Sequence, residues 1–384
     1  MNPEQPLTEL IEDLIAQPGE APRVSLYLPT APEPERLKEN EIRLKDQLKT
    51  LAGRLEALDT PGRQAKALVR MIGDAVTDWR NGTRLERGLA VFAHAGQLRQ
   101  HALPQTVPEG VFAGERYHLK PLLAALEHNR PFYLLALSQN HAGLFEGDAR
   151  GLRRLKPDGS WPGSLEQVAG TEPAGKTLHY HAGARGGESA IYHGHGAGKD
   201  DVQPEVQRFL AAVDEALREL PLARRAPVVL AGVTDLLSAF RNLSDFPRLA
   251  SGQIEGNVEH LGEDELHRRA WPLLQEQLEA DRRDALGSLR ASDPGMPVAR
   301  QLPDALRAAV DGRVDTLFVA GDSERWGRLI ESSREVTRHD DWQPGDEDLL
   351  DRAAVESHQR GARVHVMAAG ELPGRDAVLA RLRY

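Results

Sequence analysis

Residues 179–199 read HYHAGARGGESAIYHGHGAGK and hold four of the chain's fourteen histidines together with six glycines. Histidines two apart, His179 with His181 and His193 with His195, put their imidazoles on one side of an extended chain, and imidazole is a good zinc ligand. HExxH and HxHxDH arrangements are absent, and a metal site needs rigid elements behind its ligands where this stretch offers glycine. Neither a metal nor another cofactor is therefore expected. The ending Gly198-Lys199 suggests a phosphate loop. However, His193 stands where its first glycine belongs, and Asp200 where the magnesium-binding Ser or Thr belongs. No GxGxxG follows a strand and no GxSxG elbow occurs. With no cysteine in the chain, thiolate catalysis, disulfides and Cys-ligated zinc are excluded.

What is left is the centre of the stretch, ARGGESA at 184–190. Two consecutive glycines let a backbone approach a crowded partner and take φ values closed to other residues. Arg185 and Lys199 make the loop locally basic, which suits RNA. So much glycine forbids a helix or tight core strand, so residues 178–200 read as a pliable loop.

The elements that must hold this loop can be read on either side. PFYLLALSQNHAGLFEGD (131–148) gives two adjacent strands joined at Gln139, Asn140 and His141. After the loop, Val206, Phe209, Leu210, Val213 and Leu217 mark an amphipathic helix with Pro204 near its first turn. APVVLAGV (226–233) is a further buried strand, which makes a mixed α/β layer domain. Upstream, RVSLYLP (23–29) reads as a buried strand. A helix over 36–58 carries the stripe Leu37, Leu44, Leu48, Leu51, Leu55 and Leu58. A second helix over 64–79 precedes the strand RGLAVFAH (87–94). Downstream, a helical region over 264–289 contains Pro272, which should begin, kink or interrupt it. Helix 303–310 leads to strand 314–320, helix 348–360 to strand 362–367, and a last helix is expected up to Tyr384. Gly312 and Gly361 sit where helix C-caps belong. The acidic stretch 332–347 reads as a surface loop. The fold class is thus α/β (α+β) in three domains: 1–127, 128–255 with the glycine-rich loop, and 256–384, a C-terminal α/β sandwich.

A chain of 384 residues exceeds what one core usually organises. The absence of cysteine and of a signal-like N-terminus leads us to expect a cytoplasmic location. No apolar run approaches the roughly 18 residues that span a bilayer, so no membrane partner is expected. A net charge of −10 argues against general affinity for nucleic acid. No DNA partner is expected, and RNA would have to be met through local basic patches.

The order basic–Gly–Gly–polar–Ser–Ala in ARGGESA resembles the catalytic loop of the archaeo-eukaryotic class-1 translation release factors. Arg185, Gly186, Gly187, Ser189 and Ala190 match, and Glu188 stands where the family has glutamine. RVSLYLPTAPEPERLKENEIRLK looks like the family's opening strand and helix. GRVDTLFVAG, DLLDRAAVESHQRGARVHVM and DAVLARLRY look like its third domain. The chain is most similar to the bacterial branch of that superfamily, which also contains Pelota-type rescue factors. The resemblance implies a middle domain with a ribonuclease-H-like mixed sheet, and the ribosome with its rRNA and tRNA as partner. It also implies a loop that enters the peptidyl-transferase centre and promotes attack of water on peptidyl-tRNA. Gly186, Gly187 and Glu188 would be the catalytic tip there, and Arg185, Lys199, Arg43 and Lys45 the RNA contacts. Glu188 keeps the backbone N–H and the size of glutamine but loses the amide donor and adds a negative charge. KENEIRLK (38–45) shares only Asn40 and Ile42 with the family's codon-reading Asn-Ile-Lys-Ser, so codon recognition is not carried over. Three readings stand: rescue or peptidyl-tRNA hydrolysis, non-catalytic occupation of idle ribosomes, and a metal-dependent hydrolase using the four loop histidines.

Overall fold

The run RVSLYLP is apolar almost throughout because both of its faces are covered. In the computed structural model, Arg23–Pro29 is an inner strand, paired antiparallel with Gly88–His94 on one side and Gly110–Gly114 on the other. Gln97–Leu103 completes a four-stranded sheet. Side chains alternate along a strand. Val24, Leu26 and Leu28 meet one core, and Tyr27 meets another. The first core is closed by the leucine stripe of the helix Leu37–Ala57, with Leu44, Leu51 and Leu55 buried, and by Leu68, Ile72 and Val76 of Gly62–Arg80.

The structure describes residues 6–16, 22–30, 37–80, 86–138, 141–156, 161–169, 204–220, 226–290 and 297–384. Contacts gather the chain into two units, Met1–Asn129 with Arg282–Tyr384, and Arg130–Asp281. Residues 1–129 and 282–384 thus share one unit, and residues 256–281 go with the other. The second core of the first unit joins Leu10, Ile11 and Leu14 of the helix Leu7–Ala16 to Leu302, Leu306, Phe318, Leu349 and Leu379.

In the C-terminal part of this unit the strand order is Val298–Ala299, Val378–Leu382, Val314–Ala320, Arg363–Met367. Val314–Ala320 runs parallel to Arg363–Met367 and antiparallel to Val378–Leu382. Two expectations are corrected here. The described residues end in a strand, not a helix: the run of three buried residues Val378, Leu379 and Ala380 fits an inner sheet position. The acidic stretch 332–347 is not all loop. Glu335–Arg338 pairs with Trp326–Ile330, which also pairs with Glu347–Asp348. Gly327 makes the pairing possible, since a Cβ there would lie 2.0 Å from the Thr337 carbonyl oxygen. Gly312 and Gly361 take φ of 72° and 73° just beyond their helices, as C-cap glycines should.

The second unit is a five-stranded sheet ordered Gly151–Arg154, Ala142–Asp148, Phe132–Leu137, Val228–Gly232, Leu249–Glu255. The first three strands are antiparallel and the last two join in parallel. Tyr133, Leu135 and Leu137 face a core made with the helices Pro204–Glu219 and Thr234–Leu243. Phe132 and Leu134 face the opposite core, with Leu266, Ala270 and Leu274 of Glu263–Arg290. This is a mixed α/β layer, as the sequence suggested, and helices cover both faces of its sheet. Pro272 does not end its helix, which runs through it.

Candidate functional site

Arg185, Gly186, Gly187, Glu188 and Lys199 lie outside the described residues, as do His179, His181, His193 and His195. The described residues show how the chain is held at both ends of this stretch. Before it, Ser164 and Gln167 bond reciprocally: Gln167 N donates to Ser164 Oγ at 3.3 Å and Ser164 N to Gln167 Oε1 at 3.2 Å. That capping box starts the short helix Leu165–Ala169. Trp161 Nε1 donates to the Ala142 carbonyl at 3.0 Å and ties the approach to the sheet. After it, Pro204 opens the helix Pro204–Glu219, a position where its missing N–H costs nothing. Phe209, Leu210, Val213 and Leu217 of that helix are fully buried. Leu165, Val168 and Val206 pack on the same core, so both ends of the loop rest on one rigid layer. The buried Asp214 accepts from Arg218 Nε at 2.9 Å and from the Ser244 hydroxyl, which locks this helix to the end of Thr234–Leu243.

Arg43 and Lys45, the other two expected RNA contacts, belong to the other unit. Arg43 donates to the Pro29 carbonyl at 3.2 Å and faces Glu109 at 3.6 Å and Glu39 at 3.9 Å. Lys45 is exposed and lies 3.6 Å from Glu41. Each is thus accompanied by a carboxylate that reduces its pull on phosphate. Among the described residues no group of three or more His, Asp or Glu side chains could hold a metal ion. No helix among them is long and apolar enough to cross a membrane.

Sequence reasoning missed one polar centre, in the first unit. Lys120 is only 1% exposed and donates from Nζ to Asp348 Oδ2 at 2.8 Å and to the Ser323 carbonyl at 2.7 Å. Asp348 caps the helix Leu349–Gln359 and also accepts from Arg325 N at 2.9 Å. Asp351 Oδ1 accepts from the backbone N–H groups of Leu119 and Lys120. His118 stacks on Phe112, with ring centroids 3.6 Å apart, and its Nδ1 is 3.6 Å from Asp351, too far for a hydrogen bond. Burial, then the charges of Lys120 and Arg54, hold the His118 pKa well below the ordinary histidine value. Burial, then the Asp348 charge, push the Asp351 carboxyl up to about 8. Near pH 7 the centre is therefore one ion pair beside a neutral imidazole and a largely protonated carboxyl. Next to it lies a cavity of about 380 Å³. The Arg54 guanidinium sits there, 5.6 Å from the ring centroid of Phe112 and 5.4 Å from those of Trp326 and Trp342. With the aromatic walls holding the protein's own cation and the carboxyl groups of Asp348 and Asp351 engaged by backbone donors, this centre is a clamp between distant parts of the chain. One signal was readable: Asp348 directly before LLDRAAV is a helix N-cap.

Residues 132–276 match the family model described as Bacterial archaeo-eukaryotic release factor family 7. The second unit is release-factor-like. The match covers well under half of the chain, and it spans both anchors of the glycine-rich loop. The whole chain is also similar to the crystal structure of archaeal translation termination factor aRF1, at 17% identity over 98% of this chain and 97% of that one, with a TM-score of 0.24. Archaeoglobus fulgidus Pelota is 17% identical, covering 77% and 79%, with a TM-score of 0.32. Dom34 of S. cerevisiae, a translation termination-like factor, is 9% identical over 77% and 79%, with a TM-score of 0.37. At TM-scores this low the likeness decides nothing about function. No curated protein matches the chain.

Proposed function

We propose that this protein is a translation-related, ribosome-associated factor that offers residues 183–190 to the peptidyl-transferase centre from the cytoplasm. The observation that carries the reading is the release-factor family match over 132–276, which encloses the Arg185-Gly186-Gly187-Glu188 loop between its two fixed ends. In this reading Gly186 and Gly187 let the backbone fit a crowded RNA pocket, and Arg185 and Lys199 meet phosphate. The backbone N–H of residue 188 supports a developing oxyanion. The division into an N-terminal segment 1–127, a loop-bearing segment 128–255 and a C-terminal segment 256–384 belongs to this proposal.

Glu188 favours a second reading beside rescue by peptidyl-tRNA hydrolysis, namely occupation of the site without chemistry. A carboxylate has no amide donor and is repelled by phosphate-rich surroundings. Sedimentation of a lysate through a sucrose gradient tests the common part of both. The protein should travel with ribosomes at low salt and leave them at high salt. Protein that stays at the top of the low-salt gradient contradicts the proposal.

A further inference from the structure

The molecule carries a net charge of −10, so any arginine-rich surface on it stands out against the overall field. One such surface lies in the first unit, where an open groove of about 550 Å³ runs between Val298–Ala299, the helix Leu302–Val310 and the end of the last strand. Arg300, Arg307 and Arg313 line it. Arg334 and Arg383 adjoin: Arg307 Nε donates to the Arg334 carbonyl at 3.0 Å, and Arg383 N to the Arg313 carbonyl at 2.7 Å.

The charges of these five are poorly neutralised. Arg313 and Arg334 share one carboxylate, Asp311, at 3.6 and 3.4 Å, and Arg307 has Asp304 at 3.1 Å. Arg383 spends its guanidinium on two neutral carbonyls, Gly312 at 3.2 Å and Arg360 at 2.9 Å. Arg300 is exposed, with no partner among the described residues. Exposed pairs of this kind are weak, so a phosphate can displace them cheaply. Tyr384, two residues beyond the lining Leu382, is 76% exposed. Arginines in a groove with an exposed aromatic residue nearby in the chain are what an RNA strand with an unpaired base needs.

We infer that this groove is an RNA-binding site, taking the phosphate backbone of a single-stranded or looped segment with one base stacked on Tyr384. The inference rests on the ribosome-associated reading for its biological setting, but its chemistry can be tested apart from it. The probe is a labelled single-stranded RNA oligonucleotide of mixed sequence, followed by fluorescence anisotropy with the full chain over a salt series. Arg300→Ala, Arg307→Ala and Arg313→Ala combined should weaken binding at least ten-fold. The combined change should also flatten the slope of log K against log salt by about 2, at roughly 0.7 per contact. The matching lysine substitutions should restore most of the affinity, which a merely unfolded variant would not allow. Tyr384→Ala should cost about five-fold or more without changing the slope.

Equal RNA affinity in wild type and the triple alanine variant overturns the site. So does poly-glutamate that competes as well as RNA, since the groove would then be for an acidic protein. Ribosome sedimentation separates this failure from that of the broader reading. A wild-type protein that binds RNA through the groove but never travels with ribosomes leaves the site standing and removes the proposed function. A triple variant that binds ribosomes as well as wild type, with no change in oligonucleotide binding, does the reverse.

Discussion

Glu188 is the residue on which the two ribosomal readings part. If the protein hydrolyses peptidyl-tRNA, Glu188→Gln should keep or raise release of peptide from a programmed ribosome. Gly187→Ala should abolish release, because the added Cβ restricts the backbone and enlarges the tip. If it only occupies the site, wild type should release nothing above background, while Glu188→Gln binds ribosomes more tightly. Efficient release by wild type that is lost in Glu188→Gln would instead make the carboxylate a working base. Asp351 makes a prediction of a different kind. It is ionised in the unfolded chain above about pH 4, but protonated in the fold up to about 8. The fold holds the extra proton between those values, so stability falls as pH climbs through that window. Asp351→Asn keeps an acceptor for the Leu119 and Lys120 N–H groups and removes the titration. Thermal melts of wild type should drop between pH 6 and pH 9, by about 2–4 °C for each kcal/mol lost. The variant should lose most of that drop while melting near wild type at pH 6. An unchanged drop would place the titration elsewhere.

Among the elements, two glycines give opposite expectations. Gly53 lies on the exposed side of Leu37–Ala57 with nothing within 4 Å of an added Cβ. Gly53→Ala should therefore stabilise by about 0.5–1 kcal/mol in a urea titration. Gly327→Ala should destabilise by at least roughly 1–3 kcal/mol, because its Cβ would meet backbone at 2.0 Å and Leu349 Cδ1 at 2.9 Å. A Gly327→Ala midpoint equal to wild type would mean that the pairing of Trp326–Ile330 with Glu335–Arg338 contributes little. These elements also show what a sequence discloses. RVSLYLP was legible to the residue because burial on both faces leaves a run that is apolar except at Arg23 and Ser25. Pro204 and the Phe209–Leu217 stripe were legible because helix periodicity is strong there. DAVLARLRY was misread because a short run with two arginines fits helix and strand spacing alike, and only its neighbours in the sheet decide. Glu335–Arg338 escaped because an exposed edge strand need not be apolar. The Lys120–Asp348 pair joins residues 228 apart, and no local pattern announces such a partner. The glycine-rich loop was the reverse case: its composition stood out in the sequence while its geometry lies outside the described residues.

For the whole molecule, the connectivity of the first unit sets a timetable. Its sheets and second core draw on residues 1–129 and 282–384, with the entire second unit written between them. On a ribosome making this chain, Leu10, Ile11 and Leu14 emerge early, yet their partners Leu302, Phe318 and Leu379 are made only at the end. The release-factor-like unit has all its strands in one stretch and can close while the first unit still waits, since units generally fold as they are completed. The waiting part keeps apolar surface open until Val378–Leu382 slots between its two sheet neighbours. Nascent chains halted before residue 375 should therefore show a protease-resistant second unit and a digestible Leu7–Ala16 helix, and a few more codons should change that pattern all at once. A newborn copy of this protein would be exposed to chaperones for most of its own synthesis.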